Sequence, residues 1–171
     1  VSGGVDSTVS AVITAKAIGN HFYPIYVDNG LMRQGTTEHV KEIFEHIGIK
    51  PIIVDVRHEM LVLLKGIKDS ETKRKIIGRH YIEIFERELD KIEKNGIKPE
   101  FLMQGTIYSD VIESKGTKHA AKIKSHHNVG GLPKHMRMKL LEPVREFYKD
   151  EVRVIGLKMG LPKEFVHKQP F

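Results

Sequence analysis

The chain is 171 residues long with 40% hydrophobic residues, which suits one globular domain with a core of its own. It has no cysteine, so disulfides, a thiol nucleophile and thiolate-held zinc or iron–sulfur centres are excluded. The longest strongly apolar run, Met60 to Leu64, is far too short to span a bilayer, and no signal-peptide pattern precedes Ser2, so a soluble cytoplasmic protein with no membrane partner is expected. The net charge of +6 is concentrated: Lys115 to Lys139 holds seven Lys and Arg, four His and no acid, which leaves the remainder near −1. One basic segment suits a small anionic ligand better than the broad footprint of a duplex or a transfer RNA, so no nucleic-acid partner is expected.

At the amino end, Val1-Ser2-Gly3-Gly4-Val5-Asp6-Ser7 reads as a phosphate cradle. Gly3 and Gly4 allow a tight turn and close backbone approach. The next residues open a helix from Asp6 to about Ile18, with Val9, Val12, Ile13 and Ala17 at helical spacing. A helix starting there aims unpaired N–H groups and the positive end of its dipole at the turn, which favours phosphate or pyrophosphate. Ser2 and Ser7 add hydroxyl donors, and Asp6 either caps the helix or holds a Mg²⁺ ion carried by a nucleotide. No Gly-Lys-Ser/Thr follows, so this is not a Walker loop, and the third glycine of the dinucleotide fingerprint is missing. A plain strand-to-helix turn explains the same residues. The chain opens without Met inside the motif, so most of the strand feeding the turn is expected to lie outside it.

Phe22 to Val27 is a β-rich run ending in Asp28-Asn29-Gly30, at the carboxyl end of a strand. That is the ligand edge of an open parallel sheet, where Val27, Leu31 and Met32 can flank a purine; core strand plus turn is the competing reading. Thr37 is expected to cap a helix with Val40, Ile43, Phe44 and Ile47 inward, closed by Gly48. His39 and His46 share one face of it without ligand partners, so no metal is expected there. Ile52 to Val56 is the next strand, and Met60 to Leu64 starts a helical segment.

Lys73-Arg74-Lys75-Ile76-Ile77-Gly78-Arg79 opens a long helix, with Ile77, Tyr81, Ile84, Phe85, Leu89 and Ile92 inward until Asn95-Gly96. Cations at a helix start oppose its dipole, a conflict that a phosphate held by Arg74 or Arg79 would remove; a solvated basic turn is the alternative. Phe101 to Gln104 is a strand running into a second small-residue turn, Gly105-Thr106, so a phosphate tail is expected between Gly3-Gly4 and Gly105-Thr106. Ile107 to about Lys139 shows no regular pattern beyond a helical turn at Asp110 to Glu113, and reads as an active-site lid hinged at Gly130-Gly131. Asp110 and Glu113 share a face and can bind Mg²⁺ or position a nucleophile; Lys124 supplies a cation, and His126 and His127 a proton carrier. A further helix follows Phe147-Tyr148 and runs to Met159; Lys149 can reach the site, but a surface ion pair with a neighbouring acid is the favoured expectation.

Ser2 to Ser7 resembles the pyrophosphate loop of the N-type ATP pyrophosphatases. Four further runs, in order, resemble the GMP synthetase family: Lys73 to Gly78; Gln104 to Tyr108 with Asp110 to Ser114; Ile123 to Leu132; and Lys149 to Arg153. The resemblance spans essentially the whole chain and implies an α/β fold with a doubly wound parallel sheet of adenine nucleotide alpha hydrolase type. It further implies ATP-dependent amination of XMP to GMP through an adenylated intermediate, with release of AMP and pyrophosphate. By the same analogy Ser2, Gly3, Gly4, Val5, Asp6 and Ser7 grip pyrophosphate, Asp6 holds Mg²⁺, Arg74 contacts XMP, and Asp110, Glu113 and Lys124 act from the lid. Residues 1–171 then form one ATP pyrophosphatase domain, cropped at both ends. Ammonia comes from a glutamine amidotransferase domain or subunit outside it, and a later segment makes a homodimer. The competing readings are another member of the wider family, one that modifies transfer RNA, and a nucleotide-binding module without catalysis.

Overall fold

The computed structural model describes residues 1–115 and 138–167. In order these form α1 (Val5–Ile18) with a 3₁₀ turn (Gly19–His21), β1 (Ile25–Asp28), α2 (Thr36–His46), β2 (Ile52–Asp55), α3 (Arg57–Leu64) and α4 (Ser70–Lys94). Then come β3 (Phe101–Met103), α5 (Tyr108–Lys115), β4 (Lys139–Leu141), α6 (Lys149–Lys158) and α7 (Lys163–Val166). Both strand pairings, β1 with β2 and β3 with β4, are parallel. Parallel pairs need crossovers, which α2 supplies for the first pair.

Residue parity along β1 and β2 shows how the layers form. Ile25 aligns with Ile52 and Val27 with Val54. These four pack with Val56 and with Ile84 of α4. Tyr26 and Ile53, one residue out of phase, instead join Ala11 of α1 and Val40 and Phe44 of α2. Successive strand side chains point to opposite faces, so α1 and α2 cover one face and α4 the other. This is the doubly wound arrangement, with β1 and β2 covered by helices on both faces. The β1 edge away from β2 accepts the Val1 backbone nitrogen at Ile25 O, 2.6 Å. Beside it, between β1 and β3, lies an apolar cavity of about 340 Å³ that also touches Phe85 and Leu89 of α4.

Four local expectations are corrected. Helix α1 buries Thr8, Ser10, Ala11 and Thr14 as well as Val9 and Val12, whereas Ala17 is exposed. It is clasped on more than one side, so a single stripe underestimates its contact. Thr37 does not cap α2, which starts at Thr36 after a left-handed Gly35; its hydroxyl donates to Asp28 Oδ2 at 2.7 Å. Helix α4 begins three residues before Lys73, with Asp69 as N-cap accepting from Thr72 N–H at 2.7 Å and Glu71 in the first turn. The acid cap satisfies the dipole, so the basic residues lie beyond the position where they would conflict with it. Finally, residues 107–139 are not all irregular: α5 continues through Lys115, and Lys139–Leu141 is a strand on β3.

Candidate active site

Helix α1 starts directly after the Gly3-Gly4 turn. Gly3 has φ of +78°, and a Cβ there would lie 2.9 Å from Val40 Cγ2 and 3.3 Å from Thr36 Cγ2. Glycine is thus required both by backbone conformation and by the pressure of α2 beneath the turn. No side chain caps α1 at Gly4. The turn is instead closed by its own serines. Ser2 N–H donates to Ser7 Oγ at 3.2 Å, Gly4 N–H to Ser2 Oγ at 3.3 Å, the two hydroxyls meet at 3.0 Å, and Ser7 Oγ donates to Gly4 O at 3.1 Å. Two backbone N–H groups and two hydroxyls are therefore gathered, bonded to one another, in one small volume in front of a helix start, the end of a helix that favours anions.

The second turn abuts the first. A Cβ on Gly105 would sit 2.6 Å from both Cα and N of Ser7 and 2.9 Å from C of Asp6. The β3 turn thus presses on the backbone of the first turn of α1. Thr106 and Ile107 are buried behind it, and Ile107 shares a core cluster with Val5, Val144 and Val152.

Helix α6 completes the corner. Lys149 near its start meets Asp6; a Cβ on Gly156 would lie 3.0 Å from Val9 Cγ2; and Lys16 Nζ donates to Met159 O at 3.2 Å. These contacts advance along both helices in the same sense, so α1 and α6 run parallel with both amino ends at the cradle. Helix α5 starts beside them: Tyr108 N–H donates to Phe147 O at 3.0 Å, and the Tyr108 and Tyr148 rings meet edge-to-face at 5.0 Å. Converging helix amino ends concentrate positive potential at one spot.

Lys149 does not pair with a neighbour in sequence. Its Nζ lies 2.7 Å from both carboxylate oxygens of Asp6, 143 residues away, with the side chains 33% and 25% exposed. Two features carried this signal in the sequence: a lysine at a helix start, where acids are preferred, and a mid-helix Gly156 that permits close helix approach.

Of the remaining candidates, Asp110 accepts from Ile107 N–H at 3.0 Å at the start of α5, while Glu113 is exposed on the same helix. Val27 packs in the apolar cluster under α4, and Leu31 is 47% exposed. The loop between them is tied by Asn29, whose Nδ2 donates to Tyr81 Oη at 2.8 Å and whose Oδ1 accepts from Leu31 N–H at 2.9 Å. Arg74, on an exposed face of α4, lies 3.4 Å from Glu71. Lys124, His126 and His127 lie outside the described residues. A further charged cluster lies at the carboxyl ends of β1 and β2. There Arg57 donates to Asp55 through Nε at 2.9 Å, its guanidinium holds the Asp55 carboxyl down to about 2, and it lies 4.0 Å from Asp28.

A GMP synthase (glutamine-hydrolysing) of Aquifex aeolicus is 53% identical over 171 residues, covering 100% of this chain. Over its whole length this chain is similar to part of a GMP synthase (glutamine-hydrolysing). The GMP synthase of Aeropyrum pernix is 51% identical over 170 residues. The chain spans about a third of the length of these curated relatives, 33% and 32%. A family model described as NAD synthase matches residues 1–84, the cradle and the first βαβ unit. An NH3-dependent NAD synthetase from Campylobacter jejuni, solved with nitrate, superposes with a TM-score of 0.66 at 13% identity, covering 99% of this chain and 66% of that one. That likeness establishes the fold alone, an α/β architecture with parallel strands.

Proposed function

We propose that this chain is the ATP pyrophosphatase domain of a GMP synthetase, converting XMP, ATP and ammonia into GMP, AMP and pyrophosphate. The observation that carries the reading is the cradle itself: serine hydroxyls, backbone N–H groups and two parallel helix starts gathered at one point, in a chain 53% identical to a GMP synthase. Ser2, Gly3, Gly4, Val5, Asp6 and Ser7 grip the leaving pyrophosphate, with Gly105 and Thr106 forming the opposite wall. Val27 and Leu31 mark the adenine edge. In the reaction the O2 oxygen of XMP attacks the α-phosphate to form an adenylated intermediate, and ammonia then displaces AMP at C2. The cradle stabilises the charge on the departing group, and closure over it keeps water from the adenylate.

Mg²⁺ fits this corner in a limited way. Among the described residues no group of three or more His, Asp or Glu side chains converges, so an all-protein cage is lacking. Asp6 offers one partly exposed carboxylate at the cradle, and Mg²⁺ is commonly held by one or two carboxylates plus substrate phosphates. When bound, the ion supplies charge neutralisation on the phosphates. Asp6 would hold it, Asp110 and Glu113 of α5 with Lys124, His126 and His127 supply the remaining catalytic groups, and Arg74 contacts XMP. Ammonia arrives from a glutamine amidotransferase domain or subunit, and the complete protein is a cytoplasmic homodimer with no nucleic-acid or membrane partner.

Incubating the full-length protein with XMP, ATP, Mg²⁺ and ammonium tests this reading: GMP, AMP and pyrophosphate are expected in equal amounts. Formation of ADP, or AMP release indifferent to XMP, would sink it. Arg74→Met is expected to raise the KM for XMP while leaving that for ATP within about twofold, as loss of a uniform binding contact predicts.

A further inference from the structure

Lys149 occupies the place on Asp6 that a metal ion would need. Its Nζ is 2.7 Å from each carboxylate oxygen, so one ammonium spans both. Neighbouring acids do not compete for it. Asp150 is engaged by Arg153 at 2.9 Å, and Glu151 accepts from Tyr148 N–H at 2.7 Å as part of the α6 cap. Both partners are partly exposed, so the pair adds little to stability and breaks readily. Its main consequence is electrostatic: it cancels one positive and one negative charge where the amino ends of α1 and α6 meet.

We propose that Asp6 and Lys149 form an exchange pair. In the nucleotide-free protein Lys149 serves as the cation on Asp6. When a divalent ion arrives on pyrophosphate, Asp6 changes partner and Lys149 is released towards the incoming anion. This inference rests on the cradle reading above. It makes Lys149 a positioning residue that blocks Asp6 against free divalent ions and leaves the cradle poorly charged for anions lacking a metal. The metal dependence of binding then resides partly in the protein.

The test uses the full-length protein with two probes. First, binding of Mn²⁺ alone is followed by electron paramagnetic resonance. Lys149→Met is expected to tighten it by up to about fivefold, the size of one lost, partly exposed ion pair. Lys149→Arg, which keeps the pair, should match wild type, as should Arg153→Met, which removes a cation one turn along α6. Adding Asp6→Asn to Lys149→Met should abolish the gain. Unchanged Mn²⁺ affinity in Lys149→Met, or an equal gain in Arg153→Met, would overturn the exchange. Second, calorimetry with inorganic pyrophosphate in EDTA should show Asp6→Asn binding up to about fivefold more tightly than wild type, because Lys149 is no longer committed. Weaker or equal binding would again overturn it. If wild type binds no pyrophosphate even with Mg²⁺, the cradle reading itself fails and the exchange falls with it. Circular dichroism of each variant separates these outcomes from misfolding.

Discussion

Replacing Gly105 with alanine places one methyl group against the backbone of the first turn of α1. The new Cβ would stand 2.6 Å from Ser7 Cα and N. Comfortable carbon contacts begin near 3.5 Å, so either the β3 turn or the cradle must move by about 1 Å. Neither neighbour is a flexible side chain. Ser7 is held by α1, whose Val9 and Val12 are fully buried, and Thr106 and Ile107 anchor the other side. Overpacking of this kind costs about 1–3 kcal/mol, and a misplacement near 1 Å at a reacting centre lowers the rate by about 10²-fold. Denaturant midpoints and AMP formation with XMP, ATP and ammonium measure the two effects on full-length protein. Gly78→Ala is the control: it lies within α4 with nothing in reach of its Cβ, so it should stabilise by roughly 0.5–1 kcal/mol. A Gly105→Ala protein with wild-type midpoint and kcat/KM would show that the two turns do not constrain one another.

Gly3→Ala combines a left-handed backbone with contacts at 2.9 and 3.3 Å to α2, and should destabilise by at least roughly 1–2 kcal/mol from the backbone alone, read by chemical denaturation. Phe44→Ala empties a fully buried site between α2 and the β1–β2 sheet and should cost about 3–5 kcal/mol in the same assay. The pH dependence has a defined sign at Asp69. The Thr72 hydroxyl, and then its backbone N–H, hold the Asp69 carboxyl below its ordinary 3.8. The folded value lies under the unfolded one, so the stabilisation is complete above the unfolded value and is lost as pH falls through the folded one. Asp69→Ala should therefore flatten the fall in denaturation midpoint below about pH 4, and an unchanged slope would count against this cap.

Much of the architecture is legible from local patterns. The runs at Phe22 to Val27, Ile52 to Val56 and Phe101 to Gln104 coincide with β1, β2 and β3 to within a few residues, the apolar stripe of α2 is buried where its spacing puts it, and α6 ends within a residue of Met159. Those signals survive because side-chain periodicity is a property of a short window. Strand β4 does not, since Lys139–Leu141 offers only three residues, all exposed, and is a strand only because β3 lies beside it. The long helix shows the same limit in another form: Asp69 and Glu71 already answer the dipole that the basic run taken alone opposes.

Ser2 to Ser7 by itself determined a tight glycine turn with two hydroxyls opening a helix, because glycine conformation, side-chain identity and helix polarity are all local. Tertiary structure alone decided what that turn touches. Gly105 reaches Ser7 across nearly 100 residues and Lys149 reaches Asp6 across 143, and neither meeting is encoded in any window of sequence. Both depend on β3 and α6 being laid beside α1 by the burial of Val9, Ile107 and Val152 in one core cluster, a consequence of how the whole chain packs.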